Sequence, residues 1–406
     1  MMFKSLFLFY ALLLSSTVTC QIIGRGTVVN DATIKSGAII GSDTTINRGA
    51  VISNNAIIGS SVHIESDAVI GSSTVINNFA VINERAVISK SVVIDSHVII
   101  SSDAVIGPNT VINKRAFINS SVVISNNVVV DSESIIGFGA FIGSDTVIGK
   151  KVSIDSSAII NKKVVIDTDS IIGFGAFIGS NTVIGKRVSI DSSAIINNKA
   201  VIDTDSFIGS DAVIGTSAII GYATHIKPSA VISKQAIIGR NVTVEDGALI
   251  GSGVIVGNDA HIQDSAVINA KAIIGTNATI GSGAVIDPKA IIGRDVVMFS
   301  DAFVGKSAVV NESVVIGSGA VINSYACVNA SAMIGAGAVI GSNAVIGPRA
   351  DIGTNVNISP GAIIPAGAVI LSGAVISPNE IVPLNAVSTS EPITFRRDGK
   401  VGCDVD

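Results

Sequence analysis

Residues 56–61 read Ala-Ile-Ile-Gly-Ser-Ser, residues 68–73 read Ala-Val-Ile-Gly-Ser-Ser, and residues 344–349 read Ala-Val-Ile-Gly-Pro-Arg. Each unit has a small residue, an apolar residue, an Ile or Val, and then three residues rich in Gly, Asn, Asp and Ser. The first three residues predict a short strand, because β-branched side chains favour extended backbone. The next three predict a turn, since Gly and Asn tolerate a positive φ. A period of six excludes an amphipathic helix.

The same unit recurs along almost the whole chain. Counted from Cys20, the 406-residue sequence divides into 61 hexads, without insertion or deletion, that end at Asn385. The pattern fails at Ser388, where an inward Ile or Val is due. We therefore expect one repeat domain over residues 21–387, followed by a C-terminal tail or cap over residues 388–406. Aromatic residues are 4% of the sequence and Trp is absent, which favours a narrow core of small aliphatic side chains.

This repeat resembles that of the hexapeptide-repeat family, the left-handed parallel β-helix first known from bacterial acyltransferases. The resemblance implies an all-β, single-stranded, triangular β-solenoid of about twenty coils, with three hexads in each coil of eighteen residues. It also implies that the first and third hexad residues point inward and the second points outward. Residues 134–169 recur at 170–205 with four differences in 36 positions. That length is two coils, so the duplication keeps the faces in phase.

The outward residues, taken every eighteen positions, fall on three faces. Two faces are near-continuous aliphatic ladders, and the third mixes Thr, His, Phe and Ser, beginning with Thr27. Because apolar patches of this extent are uncommon on monomers, we predict a contact face for self-association or for a matrix partner. The alternative, that Val and Ile stand there because they suit strands, remains open. The predicted contact face consists of Ile57, Val75, Val93, Val111, Val129, Val147, Val165, Val183 and Val201.

Residues 1–20 have the pattern of a secretory signal peptide. Lys4 precedes an apolar run over residues 6–14, and small residues follow up to Cys20. The run is too short to span a bilayer, and no later segment reads as a transmembrane span. The pattern predicts a secreted, extracellular protein; a bacterial lipoprotein signal ending at Cys20 is the alternative.

A secreted chain is open to two covalent modifications. In an oxidising compartment Cys327 and Cys403 could form one disulfide. Asn-x-Ser/Thr sequons predict N-glycosylation, although Asn, Ser and Thr are common in these turns for structural reasons. The candidate acceptors are Asn119, Asn241, Asn277, Asn311 and Asn329.

Catalysis would have to begin from histidine, because acyltransferases of the family that the repeat resembles generally use His as a general base in a cleft between subunits. His63, His225 and His261 fall on the mixed face, and His97 falls in a turn. The repeat has no loop insertion to build a cleft, so we interpret all four as surface residues and expect no catalytic or cofactor-binding residue. His225 and His261 lie two coils apart, about 9.6 Å, too far to share a zinc ion. No metal site is therefore expected.

The overall charge argues against nucleic-acid binding. The net charge is −5 with Lys and Arg scattered, so no basic stripe for nucleic acid is present. The sequence thus predicts a secreted, non-enzymatic structural or adhesive β-solenoid that self-associates, as a homo-oligomer or fibre, or binds extracellular matrix. A diverged hexapeptide-repeat acyltransferase is the alternative, and an ice-binding protein is a weaker one because Thr is intermittent on the mixed face.

Overall fold

The computed structural model describes residues 21–383 and 387–388. Every element within these residues is a two-residue β-strand. The first two are β1 (Ile22–Ile23) and β2 (Val28–Val29), and from β3 (Thr33–Ile34) to β60 (Val375–Ile376) a strand begins at every sixth residue. The last is β61 (Val387–Ser388). No helix in the described part of the chain is long and apolar enough to cross a membrane.

The chain divides into two compact units between Asn127 and Val128. In each unit a strand pairs in parallel with the strand three places along, which is one coil further on. In the first unit, for example, β10 (Val75–Ile76) pairs with β13 (Val93–Ile94) so that Val75 lies opposite Val93. We call the sheet built from β1, β4 and every third strand to β58 sheet I, the one from β2 to β59 sheet II, and the one from β3 to β60 sheet III; β61 belongs to sheet II.

At three strands a coil, β1 to β18 make six coils in the first unit, and β19 to β60 make fourteen in the second. Both units have the same three-sheet architecture. The fold class predicted from the repeat, an all-β solenoid of the left-handed parallel β-helix class with about twenty coils, is therefore confirmed.

The core of each unit is a stack of small aliphatic side chains. The first hexad residue and the third point inward, as with Ala200 and Ile202, both 0% exposed. Where the first residue is Thr or Ser, its hydroxyl donates to a backbone carbonyl in the next coil: Ser170 Oγ lies 2.8 Å from the Gly185 oxygen. This hydrogen bond matters because a buried hydroxyl without a partner would destabilise the fold.

Corner residues adopt an unusual backbone conformation, and the backbones of successive coils pack closely there. His97, at the sixth hexad position, has a φ of 60°, the left-handed conformation that hexads with Gly or Asn there accept more readily. At the fourth position successive coils nearly touch. A Cβ on Gly251 would lie 2.7 Å from the Ala270 nitrogen, so that glycine is required by the close approach of the backbone.

The sequence predicted a repeat without interruption from Cys20, and the structure contradicts this prediction. Val28 lies opposite Thr45, seventeen residues away, whereas Thr33 lies opposite Val51, eighteen away. The unit that begins at Thr27 therefore has five residues, and Val28 rather than Thr27 holds the outward position. Paired apolar residues such as Val28–Val29 give no pattern that distinguishes inward from outward, which is why the sequence did not reveal the slip.

At the other end the register continues to β61, where Val387 lies opposite Val369 and Ser388 opposite Ile370. The predicted signal peptide, residues 1–20, lies outside the described residues. So does the predicted tail beyond Ser388.

Candidate functional site

The histidine on β41 (His261–Ile262) has a carboxylate partner. Its Nε2 lies 3.0 Å from Oε1 of Glu245, and the His261 side chain is 43% exposed while that of Glu245 is 27% exposed. The two residues are sixteen apart in sequence. They form an imidazole–carboxylate pair at the surface of sheet II in the second unit.

Backbone register brings this pair together. β38 (Thr243–Val244) pairs with β41 so that Thr243 lies opposite His261, and Glu245 is the first corner residue after β38. The Glu245 nitrogen donates to the Ile262 oxygen at 2.8 Å, which holds the corner against β41. The Glu245 side chain then reaches the imidazole on the neighbouring strand.

The surroundings of His261 are polar on both sides. Thr243 lies opposite it in the preceding coil and Thr279 in the following one. Gln263, two residues on, accepts a hydrogen bond from the Ser282 nitrogen at 3.1 Å. A neutral imidazole that donates to a carboxylate is oriented and can accept a proton on its other nitrogen. The arrangement is therefore suited to removing a proton from a hydroxyl or amine that lies on this face.

The other three histidines lack such a partner. His97 stacks on Phe79, with ring centroids 5.0 Å apart, and His225 meets Phe207 edge-on at 6.3 Å. His63 is exposed on β8. None of these three makes an ion pair with a described residue. The geometry thus separates His261 from His63 and His225, which occupy the same outward hexad position.

Sequence reasoning placed His261 on the outward surface without assigning it a role, and it missed Glu245. In a coil of eighteen residues, a corner residue two places after a strand position lies beside the residue sixteen places further along. A carboxylate sixteen residues before an outward histidine was therefore a usable signal. Among the described residues, no three His, Cys, Asp or Glu side chains are grouped so that they could hold a metal ion.

Elsewhere, arginine–carboxylate pairs link successive coils and shift the pKa values of the paired groups. The hydrogen bond from Arg187 holds the pKa of Asp205 below its usual range, and burial opposes that shift. The bond from Arg85 likewise lowers the pKa of Asp103. These pairs lie at corners, each with its partner one coil on, and they do not converge on His261.

The nine side chains of the predicted contact face all lie on sheet I, pointing outward. Ile57, Val75, Val93 and Val111 belong to the first unit, and the other five to the second. All are partly exposed, up to 43% for Val183. Self-association through this face stays a prediction.

The structure distinguishes among the predicted modification sites. Asn241 and Asn277 are exposed, and Asn119 and Asn311 are half-buried. Asn329 is 8% exposed and its Nδ2 donates to the Ile346 oxygen at 3.0 Å. Cys327 is buried and disulfide-bonded; its predicted partner, Cys403, lies outside the described residues.

Two family models match parts of the chain. The model described as the GMPPB C-terminal domain matches residues 158–259 and 218–304, the region that contains His261. The model described as bacterial transferase hexapeptide, six repeats, matches residues 331–366. No curated protein gives a significant match.

Several solved structures are similar in fold. The UDP-N-acetylglucosamine acyltransferase of Francisella novicida is 21% identical over 39% of this chain and 66% of that one, with a TM-score of 0.37. LpxA of Acinetobacter baumannii is 22% identical over 44% and 67%, with a TM-score of 0.22. The acetyltransferase domain of PglB from Neisseria gonorrhoeae, in complex with acetyl coenzyme A, is 22% identical over 34% and 54%, with a TM-score of 0.18. The chain thus spans at most about two thirds of these structures.

The predicted function, a secreted non-enzymatic structural or adhesive rod, is wrong. The matching family models, one of them for a bacterial transferase repeat, favour the acyltransferase alternative instead. The prediction had relied on the absence of loop insertions. That absence is weak evidence, because two successive coils place the His261 and Glu245 side chains in contact without any loop.

Proposed function

Because this chain belongs to the hexapeptide-repeat family, we propose that it is an acyltransferase in which His261 is the general base. The observation that carries the proposal is the 3.0 Å contact between His261 Nε2 and Glu245 Oε1. The acyl donor would be a thioester, and the acceptor a hydroxyl or amine. Sugar nucleotides and amino sugars are the acceptors to try first, since two similar structures are named as acyltransferases of UDP-N-acetylglucosamine or as LpxA.

In the proposed step, His261 donates its Nε2–H to Glu245 and carries its lone pair on Nδ1. The acceptor's proton moves to Nδ1 while its oxygen or nitrogen attacks the thioester carbonyl carbon. The tetrahedral intermediate then collapses with cleavage of the C–S bond. The leaving thiolate takes the proton from the imidazolium, which Glu245 has stabilised by its negative charge.

The test is release of free thiol from acyl-coenzyme A donors of short, medium and long chain, with sugar-nucleotide and amino-sugar acceptors. We expect His261→Gln to lower kcat/KM by about 10²–10⁴-fold, the usual contribution of general acid–base catalysis. Glu245→Gln should give a smaller loss, because the imidazole remains but is less well oriented. The matched control is His225→Gln, which lies two strands away on the same sheet beside Phe207 and should leave the rate unchanged.

Two results would contradict this proposal. One is the absence of thiol release by the wild-type protein with every donor and acceptor pair. The other is an equal rate for wild type and His261→Gln, which would remove the assigned role from that residue.

We also propose that the active form is a homo-oligomer. The face around His261 is open, and a second copy would provide the opposing wall that a bound thioester needs to be shielded from water. Sedimentation at several protein concentrations should give a species larger than the monomer, alongside the thiol-release assay. Full specific activity in a sample that sediments as a monomer would contradict it.

A further inference from the structure

Two phenylalanines project from the corner between sheets II and III of the second unit. Phe138 follows β20 (Ile135–Ile136) and is 54% exposed, and Phe174 follows β26 (Ile171–Ile172) and is 55% exposed. Each is followed by a glycine, Gly139 or Gly175, where an added Cβ would have no heavy atom within 4 Å other than those of its chain neighbours. Each phenylalanine is thus about half exposed to solvent, and we call Phe138 and Phe174 the aromatic ridges.

The outward residues beside each ridge are also apolar. Ile135 and Ile171, on sheet II, are 48% and 52% exposed. They are this exposed because both of them pair with Ser153 on the strand between, whose small side chain does not cover them.

The coil between the ridges is polar at the same corner. It presents Ser153, Asp155 and Ser156 where the ridge coils present Ile, Gly and Phe. The coil after Phe174 repeats the polar set with Ser189, Asp191 and Ser192, because of the internal duplication. Asp155 is exposed and Asp191 half-buried. Neither carboxylate has a hydrogen-bond or ion-pair partner among the described residues.

The spacing is set by strand pairing. Ile135 lies opposite Ser153, and Ser153 opposite Ile171, so the two ridges are two inter-strand distances apart, about 9.6 Å. At this corner, a coil that presents an aromatic ring therefore alternates with a coil that presents a carboxylate and hydroxyls, so the pattern repeats every two coils. Within residues 135–195, this alternation occurs twice.

We propose that this corner binds an extended β-1,4-linked neutral glycan lying along the stack of coils. Successive sugars in such a chain are turned by half a revolution, so every second sugar presents the same face. The length of two sugars is close to two inter-strand distances, which places an equivalent sugar face on Phe138 and on Phe174. Aromatic rings bury the apolar C–H face of a sugar, and the carboxylates accept hydrogen bonds from its hydroxyls.

The carboxylates favour this ligand over an apolar protein surface. An apolar partner that covered the ridges would bury Asp155 and Asp191 without a partner, which is strongly unfavourable. A polyhydroxylated chain provides donors for both. The repetition of the motif also fits a polymer with a regular repeat better than it fits a single peptide side chain.

The experiment is binding of the full chain to insoluble cellulose and chitin, with competition by soluble cello- and chito-oligosaccharides of increasing length. We expect binding to at least one of the two matrices, and stronger competition once an oligosaccharide is long enough to span both ridges. Phe138→Ala and Phe174→Ala should each weaken binding by about tenfold, as expected for loss of one aromatic contact. Asp155→Asn combined with Asp191→Asn should weaken it by a smaller factor.

Tyr325→Ala is the matched control, because Tyr325 is equally exposed, at 56%, but lies at the corner between sheets III and I. It should bind like wild type. No binding to either matrix, equal binding by the Phe variants, or equal binding to an α-linked glucan would overturn the proposal. A change in sedimentation of the Phe variants without glycan binding would overturn it too, and would assign the ridges to a contact with a second copy. None of these results depends on His261, so the acyltransferase proposal is tested separately.

Discussion

At the scale of single residues, charged corner side chains connect each coil to the next. Arg187 donates from Nε to one oxygen of Asp205 at 2.6 Å and from a terminal nitrogen to the other at 2.8 Å. Bidentate pairs of this kind are the stronger form of ion pair. The Arg187 side chain is exposed and that of Asp205 is half-buried, so solvent screens the pair and its effect is seen more clearly in titration than in stability.

Replacing this arginine should change how Asp205 titrates. The hydrogen bond from Arg187 lowers the pKa of Asp205, so Arg187→Gln should move that pKa up toward its ordinary value. A lowered folded-state pKa stabilises the fold above the unfolded-state pKa, and that contribution is lost as the pH falls through the folded-state value. Carboxyl-carbon NMR titration measures the shift. Arg85→Gln, which removes the partner of Asp103, is the control and should leave Asp205 unchanged.

The sequons should differ in whether they are glycosylated when the chain is secreted from eukaryotic cells. Asn241 and Asn277 are exposed, and their Nδ2 groups donate only to the carboxylates of Asp259 and Asp295 one coil on. We expect both to carry glycan, seen as a loss of mass on amidase treatment. Asn329 should stay unmodified because its Nδ2 is buried against the Ile346 oxygen. Modification of Asn329 while Asn241 stays bare would contradict the ranking by exposure.

Only part of the candidate site could be read from single residues in the sequence. His261 was identified as outward from its hexad position alone, since the second position always points out. The Glu245 partner depends on two further facts: the number of residues in a coil and the direction a corner side chain takes. The exposure of Phe138 and Phe174 was not predictable either, because the hexad pattern only places them in turns and residue type does not encode exposure at a corner.

At the scale of the strand, inward and outward positions differ sharply in burial. In β25 (Val165–Ile166), Ile166 is 0% exposed and Val165 is 41% exposed. Core packing in the stack leaves no room for collapse around a lost side chain, because the coils above and below fix the backbone. The outward neighbour has solvent on one side.

This contrast predicts unequal costs for two adjacent substitutions. Ile166→Ala should destabilise the surrounding coils by about 2–5 kcal/mol, the range for removing large aliphatic side chains from a core. Val165→Ala should cost less than about 1 kcal/mol. Hydrogen exchange of amides in β22 (Val147–Ile148), β25 and β28 (Val183–Ile184) is the suitable measurement, because repeat proteins open locally rather than in one step. Similar protection losses in the two variants would contradict the assignment of inward and outward positions.

Strand positions were predictable wherever the hexad has distinct inward and outward residue types. From Thr33 onward the small–outward–Ile pattern fixes each two-residue strand, and the structure follows it to β60. It failed before Ala32, where Ile22–Ile23 and Val28–Val29 offer two equally apolar choices. The one-residue slip is settled there by pairing with the next coil, which is a long-range contact.

At the scale of the whole molecule, the duplication of residues 134–169 as 170–205 offers a test of how the repeat carries function. Each strand contacts only its neighbours one coil away, so removal of whole coils should leave the remaining interfaces unchanged. Deletion of residues 170–205 joins Asp169 to Ser206, and Ser206 takes the first hexad position that Ser170 held. The strand after the join, β32 (Phe207–Ile208), belongs to sheet II, as β26 did.

We therefore expect the deletion variant to fold and to keep the thiol-release activity of the parent, because His261 and Glu245 both follow the join and keep their sixteen-residue spacing. The contrasting variant lacks only Lys163, an exposed corner residue. Losing one residue reverses the inward and outward alternation in the hexad that follows, unless the corner there tightens as it does at Thr27. Far-UV circular dichroism and kcat/KM compare the two. If the Lys163 deletion folded and were active while the 36-residue deletion did not fold, the stability of the repeat would not depend on keeping whole coils in register.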